Sequence, residues 1–120
     1  MGIWVKGISL DPGERVVWEK LANRQQSELR AVGGRLSATT TRFVFQPNRV
    51  DALTKGRPWS VGYSDVTEIG VQERENDLPI AGRAAKLRRR LRVGTRSGVE
   101  LFVVNGVEEV VARLHEVAGR

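Results

Sequence analysis

Residues 32–48 read Val32-Gly33-Gly34-Arg35-Leu36-Ser37-Ala38-Thr39-Thr40-Thr41-Arg42-Phe43-Val44-Phe45-Gln46-Pro47-Asn48. Leu36 and Ala38 alternate with polar neighbours, and Phe43 and Phe45 alternate again after a run of three threonines. Two short alternating runs with a polar break between them predict a β-hairpin with one buried face. Setting Ala38 opposite Phe43 places Leu36 opposite Phe45 and turns all four side chains to one side. A two-residue turn at Thr40 and Thr41 needs positive φ at β-branched residues, which is costly. A four-residue loop, 39–42, keeps the same pairing without that cost.

The chain has 120 residues, enough for one domain that buries roughly two-thirds of its unfolded surface without covalent staples. It has no cysteine, which excludes disulfides and thiolate zinc sites and suits a reducing compartment. No apolar run approaches the roughly 18 residues of a spanning helix. The start, Met1-Gly2-Ile3-Trp4-Val5-Lys6, is too short in apolar length for a signal peptide and has Lys6 where a myristoylation signal wants Ser or Thr. A cytoplasmic location is the expectation. Twenty basic against 14 acidic residues give a formal charge of +6, which favours anionic partners without choosing among nucleic acid, phospholipid and acidic protein surfaces. Arginine outnumbers lysine, and its fork suits phosphate and carboxylate alike.

Residues 3–10 are apolar and β-like, interrupted at Gly7. Asp11-Pro12-Gly13-Glu14 is a turn, with Pro presetting φ and Gly supplying a permissive position. A strand follows over 15–22; Val16 and Trp18 have one parity and Val17 and Leu21 the other, so a bulge or a bend between two sheets is needed. The polar residues 23–30 are expected to be a loop. After the central hairpin, 49–57 is a polar connection, and Trp59, Val61 and Tyr63 alternate as a fourth strand. Residues 66–73 form a fifth, 74–81 an exposed loop with Asn76, Asp77 and Pro79, 87–95 a sixth strand and 99–104 a seventh. A three-residue turn, Arg96-Ser97-Gly98, pairs Val93 with Leu101 and Leu91 with Val103 and turns Phe102 and Val104 outward. A two-residue turn reverses those faces.

Val107, Val110, Val111, Leu114, Val117 and Ala118 follow helical spacing and give one apolar stripe. Asn105 with Glu108 fits a capping box, Glu108 and Glu109 complement the helix dipole, and Gly119 ends the helix. Seven short strands and one C-terminal amphipathic helix predict a mainly β barrel or sandwich with the helix as its plug.

The series Pro12-Gly13-Glu14, Ala22-Asn23-Arg24, Gly33-Gly34-Arg35-Leu36, Thr39, Arg42-Phe43 and Phe45 resembles the GRAM domain. So does its continuation through Trp59-Ser60-Val61, Asp65-Val66, Ser97-Gly98 and Phe102. The second hairpin position, Ala38, departs from the Leu-x-Leu-Thr of many members. The resemblance covers the chain from about Leu10 onward. It implies a pleckstrin-homology-like fold: a bent seven-stranded β-barrel capped by one C-terminal helix, here 106–118. The whole of 1–120 is then a single domain, with 1–10 an N-terminal extension or extra strand. It also implies a binding module for protein partners, or for phosphoinositide or other lipid.

No constellation for catalysis stands out, and no cofactor or metal is expected. His115 is the only histidine and lies at the edge of the helix stripe, where a solvated or capping role is the simpler reading. Glu73, Glu75 and Asp77 lack the spacing of a calcium loop. Gly33-Gly34 is not followed by Gly-Lys-Ser/Thr, so close backbone approach or a bulge is the reading there, not a phosphate loop. The notable cluster is the basic run over 83–92. As a strand it turns Leu87, Leu91 and Val93 inward and lines Arg88, Arg90 and Arg92 along the outer face, roughly 6.6–6.8 Å apart. Glu100 on the neighbouring strand is a candidate partner for them. A solvated face neutralised by acids is the simpler reading and an anion-binding surface the sharper one. A short helix over 84–91 would dissolve the patch.

In pleckstrin-homology domains phosphate binding involves basic residues around the first two strands, and Lys20, Arg24, Arg30 and Arg35 are available there. The expectation is a non-catalytic interaction module for a protein partner or a second copy, with Phe102 and Val104 as its apolar surface. The alternative is peripheral binding to anionic lipid at the inner membrane face. Nucleic-acid binding is the weakest reading, because no docking element accompanies the charge.

Overall fold

The structure is a computed structural model and describes residues 9–27, 30–48, 56–73 and 89–119, the side chains of 26, 27 and 30 excepted. Its strands are β1 (Val16–Ser27), β2 (Arg30–Thr39), β3 (Arg42–Pro47), β4 (Trp59–Gly62), β5 (Val66–Gln72), β6 (Arg90–Thr95) and β7 (Gly98–Val103). A 3-10 turn, Tyr63–Asp65, separates β4 from β5, and one helix, α1 (Val107–Ala118), follows β7. All the strands pair antiparallel in one sheet of order β4-β3-β2-β1-β7-β6-β5.

The central hairpin forms in the expected register, with Ala38 opposite Phe43 and Leu36 opposite Phe45. All four are buried. The turn is held by the Thr39 hydroxyl, which accepts the backbone N–H of Thr41 and of Arg42 at 3.1 Å each. The β6–β7 hairpin uses the same device: Thr95 Oγ1 accepts the N–H of Ser97 at 3.1 Å. A threonine hydroxyl that binds the N–H two residues ahead mimics a backbone turn.

That second hairpin corrects the expected turn. Thr95 pairs with Gly98, so only Arg96 and Ser97 lie between the strands, and Gly98 takes the positive φ of 137°. Leu91 then faces Phe102 and Val93 faces Glu100. A one-residue change of register moves every side chain of a strand to the other face. Phe102 and Val104 are therefore core residues, not the outward patch expected from the three-residue turn.

β1 is twelve residues long and runs through 23–27, where the polar sequence pointed to a loop. Asn23, Arg24 and Gln25 pair with Gly33, Val32 and Ala31 on β2, and Asn23 and Arg24 also pair with β7. Strand pairing on both sides satisfies the backbone there, so hydrophobicity is not what makes this segment extended. The expected bulge is present between Val16 and Trp18. The turn at 11–14 also forms, with the Glu14 N–H donating to Asp11 O at 3.0 Å and Gly13 at φ 81°.

The sheet bends without closing. β4 and β5 are its two edges and do not pair with each other among the described residues, so hydrogen bonding does not close the expected barrel. β4 has only four residues, and the 3-10 turn ends it at Gly62, one residue before the alternation of Trp59, Val61 and Tyr63 would have. The bend still brings distant rings together: Phe102 on β7 meets Phe45 at 5.8 Å and Trp59 at 5.5 Å. Phe43 and Tyr63 meet edge-on at 4.8 Å. The inner face (Val32, Leu36, Phe43, Phe45, Leu91, Val93, Phe102) is one core, and each such side chain contributes about 1.5–3 kcal/mol on leaving water.

α1 buries Val110 and Leu114 against this core and packs on β5 and β6. Its C-terminus ends as expected at Gly119, in the left-handed conformation with its N–H on His115 O. The N-terminus differs. Gly106, in left-handed conformation, is the cap, and no side chain caps the first turn, so the Asn105–Glu108 capping box does not form. Glu108 and Glu109 remain in the first turn, where negative charge suits the dipole.

Candidate functional site

The basic residues are the natural candidate site, and the strand register distributes them over both faces of the sheet. Side chains at 18, 20, 22 and 24 of β1 point with Ala38, Leu36 and Val32 toward the inner face, and those at 19, 21, 23 and 25 toward the outer face. Lys20 and Arg24 are therefore inner-face residues, and Arg35 is on the outer face. Arg30 lies in β2, its side chain outside the described set, and Arg88 lies outside the described residues altogether.

Where these side chains are described, the arginines have polar partners. Arg24 Nε donates to Glu100 at 2.8 Å, and its Nη1 donates to the carbonyl of Arg57 at 3.3 Å. Arg92 Nε donates to Glu68 at 2.8 Å and its Nη1 to the Gln72 amide oxygen at 2.9 Å. Arg35 stands 3.9 Å from Glu19. Arg89 lies between two acids, Glu108 at 2.5 Å and Glu73 at 3.3 Å, and these, Glu108 foremost, hold its guanidinium pKa above the ordinary value. Glu100, expected to answer the arginines of the sixth strand, pairs instead with Arg24 across the β1–β7 seam.

Arg90 is a second correction. It was expected in an exposed row with Arg88 and Arg92, and it is fully buried, with Nη1 on the Gln25 amide oxygen. Arg90 and Arg92 do share the outer face of β6, opposite Gln72 and Gly70 of β5, with Arg92 also opposite Leu101 of β7. Parity therefore placed the side chains on the right face without revealing how far each is covered. An exposed row of three arginines is absent among the described residues.

The most strongly organised polar cluster was not legible as a site in the sequence. The Glu14 carboxylate, its side chain 1% exposed, receives the Arg42 guanidinium in bidentate fashion, from Nε at 2.8 Å and Nη2 at 3.1 Å. The Thr39 hydroxyl donates to it at 2.5 Å, the Thr41 hydroxyl at 3.0 Å and the Asp11 N–H at 2.9 Å. These donors, Arg42 first, hold the Glu14 pKa far below the usual carboxylate range, and the ion pair in turn raises that of Arg42. Tyr63 completes the cluster by donating its hydroxyl to Thr39 O. Burial, with the Glu14 charge nearby, raises its phenol to about 12. Five donors on one carboxylate tie the 11–14 turn to the central hairpin, and Tyr63 adds the 3-10 turn through Thr39 O. The only sequence signal was a glutamate after Pro-Gly and an arginine after three threonines, some 28 residues apart.

Among the described residues, two concavities flank the sheet. One, about 410 Å³, lies between β1 and α1 and is lined by Trp18, Lys20, Val110 and Ala112, with Glu109, Arg113 and Glu116. Its charges are of both signs. The other, about 220 Å³, lies on β3 and β4 and is lined by Ser9, Arg42, Val44, Gln46, Pro58, Trp59 and Ser60. Among the described residues no group of three or more His, Cys, Asp or Glu is placed to hold a metal ion, and no helix is long and apolar enough to cross a membrane.

No family model matches the chain, and no curated protein matches it. Among solved structures it is similar to the C-terminal domain of an unknown protein from Leishmania infantum. The likeness has a TM-score of 0.62 at 13% sequence identity and covers 91% of this chain and 88% of that one. At that identity the likeness is one of fold.

Proposed function

We propose that this chain is a non-catalytic binding module of the GRAM or pleckstrin-homology-like type, and that what it binds is a protein surface. The open seven-stranded antiparallel meander, bent over one core and completed by a C-terminal helix, supports the fold half of this reading. The pairing of Arg24, Arg35, Arg89 and Arg92 with carboxylates supports the choice of partner.

A peripheral lipid site draws about 1 kcal/mol from each basic residue that faces an anionic surface unopposed. Here Glu68 and Gln72 occupy Arg92, and Glu73 and Glu108 flank Arg89. Each exposed ion pair is worth little in itself, about 0–1 kcal/mol. Alternating signs on one surface nevertheless cancel the long-range field that would draw the domain to a membrane. A mixed-charge surface suits the rim of a protein interface, where polar complementarity sets specificity.

Vesicle sedimentation tests the choice. The domain is expected to pellet no better with vesicles containing acidic phospholipid than with neutral ones. Pelleting that requires acidic lipid and falls as salt rises would transfer the reading to a peripheral lipid module. Salt-dependent retention on nucleic acid would transfer it there.

A further inference from the structure

The inner face of β1 is not covered evenly. Trp18 and Lys20 stand opposite Ala38 and Leu36, which are buried, yet both are only half-buried themselves. The reason lies in where the helix sits. α1 packs on β5 and β6, and β7 separates those strands from β1, so a gap of about 410 Å³ remains between helix and first strand. Trp18 packs against the core and also lines this gap from the sheet side, while Ala112 is exposed on the helix side. Val110 lines it too, but is already buried in the core and offers little free surface.

The charges around the gap are not equivalent. Arg113 and Glu116 stand 3.9 Å apart and answer each other. Glu109 is exposed in the first turn of α1, where water and the helix dipole offset its charge. Lys20 differs from all three: half-buried on the core side of the sheet, it pairs with no carboxylate among the described residues. An ammonium partly withdrawn from water gains most from an acid brought to it. On the premise that the domain binds a protein, we propose that the gap between β1 and α1 receives the partner. The partner's segment brings a carboxylate to Lys20 and lays a neighbouring aliphatic or aromatic side chain on Trp18. An aromatic wall with charges around it is how the centre and rim of a protein interface are built. The recess also disfavours the other acidic occupant, because a side chain enters a gap that the plane of a bilayer surface does not.

Panning the full chain against a random peptide library tests this. Enriched peptides are expected to carry Asp or Glu close to Leu, Phe or Trp. Lys20→Glu should weaken their binding about tenfold or more, and exchanging the peptide's acid for lysine should restore binding to that variant. Ala112→Glu, at an exposed helix position, should weaken the same peptides, and it keeps the comparison available should Lys20→Glu fail to fold. Peptides that bind the wild type and both variants equally would overturn the proposal while leaving the protein-binding module standing. Weakening by Lys20→Glu that the exchanged peptide does not restore would overturn the contact with Lys20. A selection that enriches no sequence would also overturn the proposal, and the vesicle and nucleic-acid assays would then decide the module's partner class. Self-association of the wild type that Lys20→Glu abolishes would assign the gap to a second copy and overturn it as well.

Discussion

Gly34 shows how closely two strands can depend on one missing carbon. It pairs with Pro47 where β2 meets the end of β3, and an added Cβ would stand 2.1 Å from the carbonyl oxygen of Gln46. The obstacle is backbone, so no rotamer relieves it. Gly34→Ala is expected to lower stability by about 3 kcal/mol in denaturant unfolding, the upper range for overpacking. Gly70→Ala, with open space at its Cβ, should stay within about 0.5 kcal/mol. Gly33-Gly34 is legible in the sequence as a place of close approach, but which glycine is indispensable depends on the register. Glu14 makes a different residue-scale prediction. Its folded pKa lies well below its unfolded one, so its contribution is complete above about pH 4.3 and is lost as pH falls toward the folded value. Glu14→Gln is expected to be less stable than wild type at neutral pH, with the difference shrinking steadily below about pH 4. A difference independent of pH would show that the carboxylate is not held as described. Tyr63 acts at the other end of the scale. Its folded pKa is raised to about 12, so stability present below about pH 10 falls as pH rises through that interval, and Tyr63→Phe should remove this alkaline loss.

At the scale of elements, the β6–β7 hairpin decides which side of the last strand is core. Phe102 is fully buried among Phe45 and Trp59, and Val99 is 44% exposed. Phe102→Ala should cost about 3–5 kcal/mol, and Val99→Ala should stay within about 0.5 kcal/mol. Near-equal effects in denaturant unfolding would indicate the three-residue turn and the opposite face. Both turns were compatible with the sequence because Val99, Leu101 and Val103 alternate with Phe102 and Val104, leaving both parities apolar. Only a long-range partner breaks that tie, and Phe45 and Trp59 supply it. The helix was legible in full over its apolar stripe and at Gly119, since both signals are local. Its start was not. Gly106 takes the left-handed conformation and caps the helix with no side-chain hydrogen bond. Asn105→Ala should therefore change the melting midpoint little, whereas Gly119→Ala should cost about 1 kcal/mol for the same left-handed conformation at the other end.

For the molecule as a whole, the distribution of charge matters more than its sum. The chain carries +6, yet charge reversal at Glu68 and Glu108 together should be needed before Arg89 and Arg92 draw the domain to acidic vesicles. Glu68→Lys with Glu108→Lys is expected to produce salt-sensitive pelleting that the unaltered domain lacks. Pelleting by the unaltered domain at the same level would show that the ion pairs do not mask the arginines. Local order was the part that the sequence determined unaided. The Ala38–Phe43 pairing, the 11–14 turn, the bulge before Trp18 and the stripe of α1 each depend on residues close together in the chain. Their periodicity and turn chemistry are written within a dozen positions. The tertiary structure alone decided what depends on distant partners. The polar end of β1 became strand because β2 and β7 bond to it on either side, and Arg90 became buried on the outer face beside Gln25. Glu14 found Arg42 only because the central hairpin returns to the first turn, and the arginines met their acids only across strand seams. Burial and charge neutralisation are properties of neighbours in space, and a linear chain does not specify those until it has folded.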